Sequence, residues 1–224
     1  MEQIYKTIGI DVTHHVLNNH YPVNEKENDE SIRSYCDNRG IVYHDLKENV
    51  GLSSGYEYLM RQAAPFADEI VILADPDVYP ITEGWGRALL SVASDPRVGI
   101  ASLMFSTVKR EMIERGYDEL SVSGHRVWRG HQACMNSICA MRRSRLEFIG
   151  GLQEPKKYYG GAEGSLAPRL KKANWDWVYL ADYWEQYHES VASEPIYREY
   201  KIEYALMNST NLSFKDWLKQ KGKL

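Results

Sequence analysis

Two aspartates flank a proline at Asp75-Pro76-Asp77, directly after the apolar run at 69–74. Such a run, short and rich in Ile, Val and Leu, reads as a buried strand. In open α/β sheets ligands bind beyond the carboxyl ends of strands, so this pair stands where chemistry is commonly done. Pro76 fixes its own φ and pushes Asp75 out of the helical region, which stiffens the turn. Paired carboxylates suit Mg2+ or Mn2+, hard cations that also bridge phosphate oxygens. An ordinary acidic turn has the same sequence, so the pair needs support from the rest of the chain.

Other residues carry weaker signals. Glu163 follows Gly160-Gly161, whose backbone freedom favours a functional turn over the alternative, a helix-capping acid before Leu166. His188 sits in an acidic, aromatic stretch and reads as a packed or surface histidine, or as a metal ligand. Arg142 and Arg143 are solvated charges, or contacts to a diphosphate or an acceptor. Trp128 and His131 lie in a polar, aromatic loop region, with acceptor contact as the alternative. Sixteen Tyr and 6 Trp against 4 Phe give many rings with a hydrogen-bonding edge, suited to sugars, bases or the rims of a mixed core.

The elements that position these residues alternate. Residues 4–11 read as a β-branched strand ending on Asp11, and 15–29 as a polar loop. A helix is expected over 31–38, ended by Gly40, then a strand over 41–45. The turn at 49–55 feeds a helix over 55–64. After the buried strand at 69–74 come a helix over 83–93 and a second buried strand over 98–105. Residues 106–135 read as a hairpin or flexible loop. A strand over 137–142, a helix over 144–148 closed by Gly150-Gly151, a helix over 166–173 and a strand over 177–181 follow. The tail at 212–224 reads as an amphipathic basic helix. This alternation predicts an α/β fold, a Rossmann-like, mostly parallel sheet flanked by helices. It is expected to be one domain over 1–190 with a helical extension over 191–224.

The order of the motifs carries a resemblance. Asn49-Val50-Gly51 lies 26 residues before Asp75; Cys139-Ala140-Met141-Arg142-Arg143 is followed by Gly150-Gly151-Leu152; Glu163 lies six residues before Arg169; and a strand at 177–181 is followed by His188. Over about residues 41–190 this resembles the family 2 glycosyltransferases and their relatives with the glycosyltransferase-A fold. The resemblance implies a metal-dependent, inverting transfer of a sugar from a nucleoside diphosphate, UDP first, to a hydroxyl. It implies Asp77 and His188 as ligands of Mn2+ or Mg2+, with Asp75 on the ribose or a metal-bound water, and Glu163 as the base. Asn49 and Gly51 would lie in the nucleotide site, with Asp11 and Thr13 as candidates for the nucleoside pocket. The chain departs from the family in its short amino-terminal part, and in Ala162-Glu163 where the family commonly has Glu-Asp.

Composition bounds the rest. A hydrophobic share of 43% in 224 residues is that of a globular chain able to bury a core. Three cysteines without a Cys-x-x-Cys, and no basic-then-apolar amino terminus, predict reduced thiols and a cytoplasmic location, the host cytoplasm for a viral protein. The apolar runs are too short to span a bilayer, so no integral membrane association is expected. The net charge of −4 does not announce a nucleic-acid binder. A saccharide is the default acceptor, and a hydroxymethylated DNA base the outsider. A sugar-nucleotide nucleotidyltransferase and a non-catalytic carbohydrate-binding protein are the rival readings.

Overall fold

The computed structural model describes residues 2–19, 25–46, 48, 50–66, 69–76, 78–106, 117–130, 138–152, 162–187, 195, 199–200, 203, 212 and 214–223. The chain divides into two compact units. One comprises Met1–Asp11, Ala64–Gln153 and Glu163–Ala192; the other comprises Val12–Ala63, Glu154–Ala162 and Ser193–Leu224.

The first unit is built on a seven-stranded sheet. Its strands are β3 (Ile70–Ala74), β4 (Val78–Pro80), β5 (Val98–Phe105), β6 (Tyr117–Val122), β7 (His125–Gly130), β8 (Ile138–Arg142) and β9 (Asp176–Tyr187). The order is β3-β8-β5-β9-β7-β6, with β4 pairing β9 off that path. Helices α1 (Glu2–Thr7), α4 (Trp85–Ser94), α5 (Arg143–Phe148) and α6 (Ala162–Lys172) accompany it. Alternation sorts the side chains. Ala101, Leu103, Ile138, Ala140, Val178 and Leu180 join one core cluster with Ala88, Leu89 and Val92 of α4. Ile100, Ser102, Cys139, Met141, Trp177 and Tyr179, of the opposite phase, are buried too and stand outside that cluster. Both faces of the central strands are therefore covered, which is why β5 reads as a run apolar at nearly every position. A Cβ on Gly99 would stand 2.5 Å from Leu170 Cδ2, so that glycine admits α6.

The second unit pairs β1 (His15–Asn18) with β2 (Val42–Asp45) in parallel, with α2 (Glu25–Asp37) between them in sequence and α3 (Leu52–Ala63) after them. Near its carboxyl end, α7 (Phe214–Gln220) buries Trp217 against Tyr200 at a ring separation of 5.7 Å.

Four expectations change. Residues 4–11 are not a strand: α1 covers Glu2–Thr7. Ile4 and Ile8, four residues apart, both pack on the core, and Gly84 N–H and Gly86 N–H donate to Thr7 O at 2.7 Å and Ile8 O at 3.1 Å. Those tertiary bonds to the start of α4 override a β-branched stretch too short to show its period. Second, His15–Asn18 is a strand within the segment read as a loop; four residues with two apolar side chains give almost no periodic signal. Third, the main sheet is mixed: β8 runs antiparallel between β3 and β5, and β6 and β7 form an antiparallel hairpin. That hairpin turns on Ser123 and Gly124, both at positive φ, as a tight two-residue turn requires. Strand direction follows from long-range pairing, which local pattern does not encode. Fourth, β9 runs on to Tyr187, six residues past the expected end at 181.

Candidate active site

The apolar strand β3 delivers Asp75 to the carboxyl edge of the sheet, half-buried. The Asp75 carbonyl accepts the Val78 N–H at 3.5 Å, closing a turn with Pro76 in its second position, where a fixed φ is favoured. Asp77 lies outside the described residues. The chain leaves the turn as β4 and pairs antiparallel with the end of β9: Val78 with Tyr187, Tyr79 with Gln186, Pro80 with Glu185. Ile81 N–H to Trp184 O at 2.9 Å and Trp184 N–H to Thr82 Oγ1 at 3.2 Å continue the link. Proline is tolerated in β4 because the strand pairs only with β9 among the described strands. His188 lies outside the described residues.

A residue not singled out from the sequence stands at the centre of this junction. Glu185 is fully buried, and its Oε2 accepts the Ile138 N–H at 2.9 Å. Its carbonyl accepts the Ser106 N–H at 2.9 Å. The ladder between β5 and β8 ends at the pair Ser102 and Cys139, and Glu185 takes up the next amide of β8. A buried carboxylate without hydrogen bonds is costly, so this placement is specific. The only hint in the sequence was an acid set among aromatic residues near the end of the strand, Tyr183-Trp184-Glu185-Gln186-Tyr187.

Glu163 is the second residue of α6, in the first turn, where an acid is favoured by the helix dipole; its side chain lies outside the description. Six residues on, Arg169 Nη1 donates to the carbonyls of Ile149 and Gly151, each at 2.7 Å. Burial pushes that guanidinium down from its ordinary value. Gly150 and Gly151 both adopt positive φ, which turns those carbonyls toward the arginine. The spacing from Gly-Gly to Arg therefore has a mechanical meaning: Arg169 ties α6 to the turn after α5.

Other candidates are placed apart. Arg142 ends β8 opposite Ile70, the first residue of β3, so five residue steps, roughly 16 Å, separate it from the Asp75 edge. Arg143 donates to Ala64 O and pairs with Glu147 at 3.3 Å on that same far edge. The antiparallel run of β8 carries both arginines away from Asp75, so neither is brought to it. Trp128 is half-buried in the middle of β7, opposite Tyr179, and His131 lies outside the described residues. Asp11 and Thr13 are both exposed on the segment between α1 and β1, and Asp11 ends no strand.

In the second unit Gly51 is buried at φ 88° and opens α3, its carbonyl accepting the Gly55 N–H at 3.2 Å. Asn19, also unforeseen, grips this turn: its Oδ1 accepts the Val50 N–H at 3.1 Å and its Nδ2 donates to Gly51 O at 3.2 Å. Asn49 lies outside the described residues. Nearby, His15 Nδ1 and His44 Nε2 are 3.0 Å apart with stacked rings, and Tyr58 sits edge-on to His44. Burial pushes both imidazoles below 6.5, and His44 adds repulsion at His15.

Among the described residues no group of three or more His, Cys, Asp or Glu could hold a metal ion, and Asp75 is the described member of the expected donor set. Two carboxylates and an imidazole are a donor chemistry that fits Mn2+ or Mg2+. No helix among the described residues is long and apolar enough to cross a membrane.

No family model matches the sequence, and no curated protein matches it. Solved structures do match. GalNAc-T7, crystallised with UDP, GalNAc and Mn2+, superposes with a TM-score of 0.63 at 11% identity, covering 83% of this chain and 40% of that one. The mannosyltransferase PcManGT from Pyrobaculum calidifontis, in complex with GDP-Man and Mn2+, gives 0.59 at 17% identity, covering 91% and 55%. The chain thus spans about half or less of the length of these structures. The fold is of the glycosyltransferase-A type: α/β, with a central sheet flanked by helices.

Proposed function

We propose that this chain is a metal-dependent glycosyltransferase that takes a nucleoside-diphosphate sugar and transfers the sugar, with inversion, to a saccharide hydroxyl. The observation that supports it most is the pairing of Val78 with Tyr187. These are the immediate sequence neighbours of Asp77 and His188, so the β4–β9 ladder draws together the two chain segments that carry the expected metal ligands. Asp75 completes the donor set at the end of β3. A divalent cation held there supplies neutralisation of the diphosphate leaving group. Glu163, at the start of a helix tied down by Arg169, takes the proton from the attacking hydroxyl. Asn49 and Gly51, on the turn before α3, contribute to the nucleotide site with Asp11 and Thr13. In this reading the catalytic region spans 1–190 and the extension 191–224, near the boundary between Ala192 and Ser193 that separates two segments of the compact units. Both neighbours named above carry Mn2+ with UDP or GDP-Man, which favours Mn2+ and leaves both nucleotides to be tried.

Thermal stability against UDP, GDP, CDP and ADP, each with and without Mn2+, tests the reading. A ligand that binds only the native state raises its melting temperature, by about 2.7 kcal/mol of stabilisation at a hundred times its Kd. A selective, Mn2+-dependent rise is the expected result. No rise with any nucleotide would refute the donor site.

A further inference from the structure

Resting on that donor-site reading, we infer that Glu185 is a positioning residue for the cation site. Three chain segments carry the expected ligands, and Glu185 is linked to each: to β3 through Ile138 of β8, to β4 by direct pairing, and to the His188 segment along its own strand. Ala74, which precedes Asp75, pairs with Ile138, whose N–H is held by the Glu185 carboxylate at 2.9 Å. Pro80, three residues after Asp77, pairs with Glu185 directly. His188 lies three residues further along the chain from Glu185. The end of β5 joins the same point through Ser106 N–H to Glu185 O at 2.9 Å.

The geometry explains why a carboxylate stands in a fully buried position. β5 stops pairing with β8 at Ser102 and Cys139, while β3 pairs with β8 up to Ile138. The Ile138 amide at this divergence takes its acceptor from Glu185. A shorter or apolar side chain leaves a buried N–H without that acceptor, and the strand ends separate to reach another. The strand ends that lead to Asp75, Asp77 and His188 are then no longer held together by this carboxylate. Residues behind a metal's ligands commonly account for 10–100-fold in metal affinity.

The test is Mn2+ alone, measured by the loss of the free-ion electron paramagnetic resonance signal on titration with the full chain. Glu185→Ala is expected to weaken Mn2+ binding by roughly ten-fold or more. Glu185→Asp keeps the charge but is one methylene shorter, and it is expected to weaken binding nearly as much. Glu185→Gln keeps the length and an oxygen acceptor, and it is expected to stay within about three-fold of wild type. Ser102→Ala removes the buried Trp177 Nε1–H to Ser102 Oγ bond in the middle of the same sheet, and it controls for general loosening. Its Mn2+ affinity is expected to be unchanged.

Equal Mn2+ affinity in wild type, Glu185→Ala and Glu185→Asp would overturn the inference and leave the donor site standing. So would a Ser102→Ala variant weakened as much as Glu185→Ala. Wild-type chain that takes up no Mn2+ would overturn both readings together. If Glu185→Ala fails to give a cooperative melt, the order of Glu185→Gln against Glu185→Asp decides: binding restored by Gln and not by Asp supports positioning by reach, and the reverse order refutes it.

Discussion

Gly86→Ala sets two effects of known size against each other. Gly86 is the second residue of α4, and replacing a helical glycine by alanine ordinarily adds up to about 1 kcal/mol of stability. Here the added Cβ would stand 2.4 Å from Ile8 Cγ1 and 2.7 Å from Ile8 O. Neither obstacle is the far end of a flexible chain. The carbonyl is itself the acceptor of the Gly86 N–H, and the preceding Thr7 carbonyl accepts from Gly84. Thr7 Oγ1 also accepts from Trp85 Nε1 at 3.0 Å. Shifting the backbone by the needed ångström is overpacking, which costs about 1–3 kcal/mol, and contacts this short fall at the upper end. Releasing α1 altogether would cost more: the burial of Ile8, about 1.5–3 kcal/mol, with hydrogen bonds of about 0.5–1.5 kcal/mol each. The local shift is therefore the cheaper response, and the net expectation is a loss of about 2 kcal/mol after the helix gain. Urea denaturation followed by tryptophan fluorescence measures it. In an Ile8→Ala background the Cγ1 obstacle is gone and the carbonyl remains, so the cost of Gly86→Ala should fall by roughly 1 kcal/mol. Unchanged or raised stability in the single variant would mean that α1 does not seat on α4 in this way.

Acid should weaken the fold through its histidines. His14, His15 and His44 are pushed below 6.5 by burial, and an unfolded chain holds them near that value, so below it the unfolded state binds more protons. Stability should be full above about 6.5 and decline as the pH falls through and below that value; a melting-temperature series from pH 8 to 5 should flatten in a His15→Gln/His44→Gln double variant, and an equal or steeper decline would count against the cluster. Arg169→Ala should cost about 2–3 kcal/mol, because it removes charged hydrogen bonds to Ile149 O and Gly151 O, read by the same urea titration; a loss under 0.5 kcal/mol would show the tether idle. Glu163→Gln should abolish transfer while nucleotide still raises the melting temperature in Mn2+, and intact turnover would remove Glu163 from the base role. Asp77→Ala should lose the Mn2+-dependent part of that rise; an undiminished Mn2+ effect would place the cation elsewhere.

Local chemistry made much of the fold readable from the chain. Val98–Phe105, buried on both faces, is apolar at nearly every position, so its strand declared itself to the residue. Asp75 could be assigned to a strand's carboxyl end because an apolar run and a proline bracket it, and Gly150-Gly151 could be read as a stop because left-handed backbone favours glycine. These signals are local, and each lies within a few residues of the feature it marks. What depends on distant partners was not readable. α1 is a helix because Thr7 and Ile8 meet the start of α4 nearly eighty residues later. The direction of β8, which carries Arg142 and Arg143 away from Asp75, was decided by its two neighbours in the sheet. Glu185 became a buried acceptor only because β5 and β8 part company beside it. Sequence alone offered Asp75, Asp77 and His188 as the residues to propose for a cation; the pairing of β4 with β9 decided which chain segments meet, because hydrogen-bond register joins residues that no local pattern connects.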